Sequence, residues 1–252
     1  MGATDEAGAD PAQRRVGFES AGPPPMRLRV RFSKTRAARF LSHLDLLKVL
    51  ERALRRATLP VAYSEGFHPH VRMHFGPPLP LGHASTSEWL DLDMATRTEA
   101  EAFRDRLNAS LPDGMRVEEA REIPLAHPSL GSQIGRGVYR VEVTGSAEAL
   151  ASLPARVQEL LLQEEIIIEK NNNKTHQSKK VDLRGFVEDL RVVEPAALPV
   201  VMEVVLRLGS QGGVRPEDVL EALAPGGGYR AGLVERTSLQ ENRSGCWRDP
   251  WP

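Results

Sequence analysis

MRLRVRF, residues 26–32, alternates apolar and basic side chains with the period of two that marks a half-buried β-strand. Further along, SHLD (42–45) opens a helix: Ser42 is placed to cap the N–H of Asp45, Asp45 to reach back, and Leu41 to pack against Leu46. Leu44, Leu47, Leu50 and Leu54 supply the apolar stripe of that helix, with Lys48, Arg52, Arg55 and Arg56 on or beside its wet face. Pro60 ends it, and VAYS (61–64) reads as a second strand. Residues 65–83, EGFHPHVRMHFGPPLPLGH, are too rich in Gly and Pro for a central strand and form an extended segment. A strand at 87–94, a helix at 98–110 and a strand at 115–123 complete a β-α-β-loop-β-α-β order, the ferredoxin-like pattern.

Residues 131–137 (GSQIGRG) read as a linker, and beyond them the order recurs. Strands are expected at 138–143 and 165–170 (EIIIEK), flanking a helix at 147–163. After the polar loop 171–178 come a short apolar stretch at 181–183, a strand at 199–208, a helix at 216–224 and a closing strand at 229–237. The expected architecture is therefore α+β, with two tandem ferredoxin-like (βαββαβ) halves at 26–130 and 138–238. It rests on element order, because the halves share no obvious sequence repeat. Residues 1–25 and 239–252 are expected to be disordered tails; the first lacks the apolar core of a secretory signal.

With 40% hydrophobic and 27% charged residues, the chain has enough apolar material for a core, and a net charge of −1 excludes a globally basic protein. The single cysteine, Cys246, cannot build a disulfide framework, a Cys-rich zinc site or an iron–sulfur cluster, which points to a reducing cytoplasm. No apolar run is long enough to span a membrane.

Charge is unevenly distributed. Residues 26–76 carry eleven bases and three acids, a balance of +8, whereas residues 77–135 balance at −5. Such a patch draws and holds a phosphate-bearing partner in a salt-dependent way, although a solvated helix face beside a strand edge has the same composition. The candidate phosphate contacts are Arg36, Arg39, Lys48, Arg52, Arg55, Arg56 and Arg72, with Lys174, Lys179 and Lys180 in a second basic loop. Aromatics are only 5%, so the sheet is no obvious base-stacking platform.

Four of seven histidines, His68, His70, His74 and His83, crowd one stretch. Arg72 would share their side of an extended chain and Pro69 interrupts it, so no metal and no cofactor is expected there. His43 falls at the first helical position, where it serves either as a cap-region residue or as a general base on a ribose hydroxyl if the fold brings it to Tyr63 or Ser64. A cleft lined by His43, Asp45, Tyr63, Ser64, Glu65 and His68 is the candidate site. No nucleophile elbow, Walker loop, Rossmann fingerprint or zincin motif is present.

RFLSHLD (39–45) with YSEGFHP (63–69), followed by PLG (80–82), KKVDLR (179–184) and ERT (235–237), resembles the radical-SAM-linked family, a domain of unknown function, over roughly residues 26–238. The resemblance implies a radical SAM enzyme as partner and brings no catalytic residues. The element order is also similar to that of tandem ferredoxin-like CRISPR repeat-processing proteins, a likeness of fold alone. Three functions are expected to compete: a non-catalytic accessory protein binding RNA through the basic N-terminal segment, a metal-independent RNA-processing or RNA-modifying enzyme using His43, and a protein–protein adaptor.

Overall fold

A computed structural model describes residues 24–172, 177–195, 198–209 and 213–252; the expected extension 1–25 falls almost wholly outside them. The fold is α+β. In β1 (Met26–Lys34) the alternation works as read: Leu28, Val30 and Phe32 enter the core while Arg27, Arg29 and Arg31 point to the opposite face. A 3-10 turn at Arg36–Phe40 leads to α1 (His43–Arg56), where Ser42 Oγ accepts from the Asp45 N–H at 3.2 Å. The buried face of α1 is Leu46, Leu50, Ala53 and Leu54, whereas Leu44 is 67% exposed. The apolar face is thus turned away from Leu44, because Leu46 and Leu50, one turn apart, already fill the space over β1.

The second strand of this half is not residues 61–64. Val61 and Tyr63 make only isolated bridges, to Met94 and Val71, and the strand proper is β2 (Met73–Phe75). Pro60 before it and the turn through a left-handed Gly66 to Pro69 after it keep the earlier stretch short, although Ala62 N–H still donates to the Asp93 carbonyl at 2.9 Å. With β3 (Ala84–Met94), α2 (Ala100–Asn108) and β4 (Met115–Ile123), the sheet order is β4-β1-β3-β2, antiparallel throughout.

Residues 131–137 are not a linker. They span a short helix α3 (Leu130–Gln133) and the start of β5 (Ile134–Gly145), held because Leu130 and Ile134 bury against Trp89 and Leu239. After α4 (Ala147–Leu161), the apolar run 165–170 enters β6 (Ile167–Asn172), which pairs with β7 (Gln177–Asp182) as a hairpin outside the main sheet. The place expected for that run is taken by β8 (Val187–Glu194), a charged edge strand whose weak alternation buries only Val187 and Leu190. β9 (Val200–Arg207), α5 (Pro216–Leu223) and β10 (Tyr229–Arg243) follow, and the order β10-β5-β9-β8 repeats that of the first half. Residues 239–252 are not a tail: β10 runs on to Arg243, β11 (Cys246–Arg248) turns back on it, and Trp251 packs edge-on against Trp89. Among the described residues, no helix is long and apolar enough to cross a membrane.

The halves are fused by a short parallel ladder, Glu235 with Ala84 and Arg236 with Ser85. At this seam Arg236, 1% exposed, forks onto both carboxylate oxygens of Glu88 at 2.6 Å and donates to the Pro77 carbonyl at 2.9 Å. Arg236 also interacts with Tyr139 of the second half's core. His83, itself buried, bonds Glu217 of α5 at 2.6 Å across the same seam. Removing one partner of a buried pair leaves the other charge uncompensated, at a cost of about 3–5 kcal/mol. Glu88→Gln is therefore expected to lower the free energy of urea unfolding by about that amount, with Glu88→Gln/Arg236→Met recovering part of it. Burial raises the Glu217 pKa, but the His83 hydrogen bond and charge outweigh burial and hold the carboxyl below its ordinary 4.5. Because the folded value is depressed, this contact contributes above the ordinary value and is lost as pH falls through the lowered one. The stability difference between the native chain and Glu217→Gln should stand at neutral pH and close below about pH 4, as read by urea midpoints across pH.

Candidate functional site

Five of the eleven bases in the basic segment pair with carboxylates of the acidic segment that follows it, three of them because the cross-strand neighbours of β1 lie on β3 and β4. Arg27 and Arg72 both pair with Asp93, at 2.6 and 3.1 Å, and Arg29 forks onto Asp91 at 2.7 and 2.8 Å. Arg31 meets Glu119 and Asp249, both at 3.3 Å, and Arg36 meets Asp113 in an exposed contact. Arg39 lies over the Phe40 ring at 4.7 Å. Lys34 is buried and donates to the carbonyls of Leu41 at 2.8 Å and Arg39 at 3.4 Å.

Among the described residues, six cations of that segment have no carboxylate within ion-pair distance: the buried Lys34, the half-buried Arg39, and Lys48, Arg52, Arg55 and Arg56 of α1. The last four form a set. All four are exposed, and their spacing of four, seven and eight residues from Lys48 sets them along one side of α1. Arg56 donates to the Ser110 carbonyl at 2.5 Å, and Arg106 of α2 caps the end of α1 through the carbonyls of Ala57 and Thr58. The stripe therefore sits on a helix fixed at both ends, with Ser42 at the first. The Ser42 hydroxyl holds the Asp45 carboxyl below its usual range, so Asp45 is a capping group here.

His43 makes no hydrogen bond to Ser64, whose hydroxyl is taken by the His70 N–H. The His43 ring stands edge-on to Phe75 at 5.2 Å, and it lines a cleft with Lys34, Leu46, Phe75, Gly76, Pro77, Pro78, Leu79, Glu88 and Trp89. With a volume of about 20 Å³, the cleft has room for about one water or one ligand atom group. Burial lowers the Lys34 ammonium pKa from 10.5, opposed by the charge of Glu88 and assisted by that of Arg236. The turn holding Ser64, Glu65 and His68 reaches α1 two turns further along, where His70 stands 3.9 Å from Glu51, about 12 Å of helix from His43. Ser64 Oγ accepts from the His70 N–H and closes that turn.

The clustered histidines diverge: His74 faces Asp93 at 3.8 Å, His83 bonds Glu217, and His68 is exposed. Lys179 and Lys180 are exposed on β7, and Lys174 lies outside the described residues. Sequence reasoning missed the seam groups Lys34, Glu88 and Arg236 as one cluster, since they lie far apart along the chain. The signal that existed was that PLG (80–82), RFLSHLD (39–45) and ERT (235–237) all converge there.

The opposite face of the first half carries a different arrangement. Arg29 and Arg31 of β1, Trp89 of β3 and Arg121 of β4 are crossed by Asp249–Trp251. Trp251 lies between Trp89, 4.6 Å between centroids, and the Arg121 guanidinium, 4.3 Å above its ring.

Among solved structures, the chain is similar at 12% identity and a TM-score of 0.45 to one in the crystal structure of a Cbf5-Nop10-Gar1 complex, covering 88% of this chain and 54% of that one. It is similar at 10% identity and a TM-score of 0.23 to an unknown protein from Galdieria sulphuraria, covering 84% of this chain and 98% of that one. The chain spans about half the length of the first of these. No curated protein matches it. The family described as "Uncharacterized protein conserved in bacteria (DUF2344)" matches residues 27–216, most of both halves, and the chain belongs to that family.

Proposed function

We propose that this protein binds RNA through the exposed cations of α1 and acts as a non-catalytic accessory protein of a radical SAM enzyme system in the cytoplasm. The observation that carries the RNA reading is the exposed stripe Lys48, Arg52, Arg55 and Arg56 on one side of α1, none of which has a carboxylate within ion-pair distance among the described residues, whereas Arg27, Arg29, Arg31, Arg36 and Arg72 do. Unpaired guanidinium and ammonium groups on a rigid helix suit the phosphate backbone, which they contact without reading sequence. The radical SAM partner is supported by the motif resemblance, and the single cysteine leaves the cluster to that partner.

Four phosphate contacts to a single strand give a slope of about −3 in log affinity against log salt, or about fiftyfold weaker binding at 200 mM than at 50 mM salt. Gel-shift titration of labelled cellular RNA is expected to show that slope. Arg52→Glu/Arg55→Glu/Arg56→Glu should abolish the shift while moving the Tm by no more than about 2 °C, since these groups are exposed. Undiminished affinity in that variant removes the stripe from the interface. A salt-insensitive complex with a radical SAM protein, in the absence of any RNA shift, favours the adaptor reading instead.

One observation favours a second reading, an RNA-processing or RNA-modifying enzyme. His43 opens onto the same cleft as Lys34, a lysine whose burial favours its neutral, proton-accepting form. Under this reading His43→Ala stops shortening or modification of the bound RNA and leaves affinity within a few-fold, measured in the same lanes. Intact, unmodified RNA with the native chain excludes it.

A further inference from the structure

We propose that Asp249–Trp251 occupies, in cis, a binding site for single-stranded RNA on the sheet face of the first half, and that RNA competes with it. The inference takes its ligand class from the RNA reading above but uses a different surface, on the opposite side of the sheet from α1.

The site is built from the central strands. β1 supplies Arg29 and Arg31, β3 supplies Trp89, β4 supplies Arg121, and Arg243 closes the edge from β10. Every one of these groups is a hydrogen-bond donor or an aromatic face. What the segment presents to them is the complement: the Asp249 carboxylate to Arg31 at 3.3 Å, the Pro250 carbonyl to Arg29, the Trp251 carbonyl to Arg243 at 2.7 Å, and the indole between Trp89 and Arg121. A nucleotide offers the same set, an anion, carbonyl acceptors and a flat π-system. Aromatic and guanidinium planes are the surfaces on which unpaired bases stack. In this arrangement Trp251 stands where a base would, and Asp249 where its phosphate would.

The segment is held by an exposed ion pair and by the buried bond from Arg29 to the Pro250 carbonyl, which the cover must give up to leave. Asp249 and Arg31 are both about one-third exposed, and a surface pair of that kind holds only weakly. Trp89 is 1% exposed with the cover in place; Leu130, Ile134 and Leu239 pack against it from within, and departure of the cover uncovers the part of the indole that Trp251 meets edge-on, beside the Arg121 guanidinium. Arg29 and Arg31 keep Asp91 and Glu119 as second partners, so opening strands neither cation.

The test measures anisotropy of a labelled single-stranded oligoadenylate, and of an RNA duplex, against the full chain and against Trp251→Ala and Asp249→Asn. Asp249→Asn is the second probe because it loosens only the Arg31 contact and leaves the indole packing in place. With the cover weakened, oligoadenylate binding should tighten about tenfold for Trp251→Ala and less for Asp249→Asn, while duplex binding is unchanged because paired bases cannot stack. The gain should persist when Arg52→Glu/Arg55→Glu/Arg56→Glu is also present, and disappear when Arg31→Glu is added. Persistence without the α1 cations separates this site from the helix stripe, so either reading can fail alone. Unchanged or weaker oligoadenylate binding in both cover variants, or an equal gain for duplex, overturns the proposal.

Discussion

The buried contact between Arg236 and Glu88 is the constraint on which the arrangement of the two halves depends. The parallel ladder that joins them is only two residue pairs long, Glu235 with Ala84 and Arg236 with Ser85, which by itself is a weak splice. The fork onto Glu88, the bond to the Pro77 carbonyl and the Ser85 hydroxyl on the Arg236 carbonyl tie β3, at two points, and the loop at Pro77 to that one strand position. Buried ion pairs contribute little net stability compared with apolar packing, but a mispaired one is costly. A slip of the ladder would strand a guanidinium inside the sheet, so the pair fixes register. The same pair places Pro77 and its neighbours over the N-terminal end of α1, which is how His43 and Lys34 come to share a cleft with it.

The second organising fact is that the charge asymmetry of the sequence folds back on itself. A +8 segment followed by a −5 segment looks like a bipolar surface when read linearly. In an antiparallel sheet the two segments are cross-strand neighbours, and the row Arg27, Arg29, Arg31 meets the row Asp93, Asp91 and Glu119. The cations that matter for a partner are then those that the sheet cannot reach, on the outer side of α1. Net charge by segment therefore overstated the patch, and helix periodicity located what was left of it.

Much of the fold was legible for the same reason. Alternation in residues 26–32, 87–94 and 115–123, the Ser42 cap and the Pro60 stop define β1, β3, β4 and α1 from local chemistry alone. What was not legible depended on contacts from far along the chain. The run 165–170, with three consecutive isoleucines, reads as a sheet strand but enters a hairpin beside α5, where Lys170 pairs with Asp218 at 2.6 Å. Val187–Glu194 looks polar because one of its faces is solvated and it sits at the sheet edge. The closing segment looked like a tail because Trp247 and Trp251 are isolated in a polar context; their partners, Arg136 and Trp89, are more than a hundred residues away. Of the candidate cleft, His43 and Asp45 are neighbours by helix geometry, but where the turn at 63–70 meets α1 is decided by tertiary contacts that no local pattern displays. The helix carries its base some 12 Å further along.

The two surfaces proposed for RNA differ in kind, and the difference follows from what each element leaves exposed. The α1 stripe is permanently open and offers only charge, so it can hold a backbone of any sequence and release it with salt. The sheet face offers planes on which bases stack, yet the chain's own Trp251 and Asp249 fill it. An occupied stacking site discriminates between ligands that can displace the cover and ligands that cannot, and only unpaired bases bring a π-face to do so. An open helix that collects RNA, set behind a covered sheet that accepts only single strands, would let one ferredoxin-like half separate capture from selection without any change in its core.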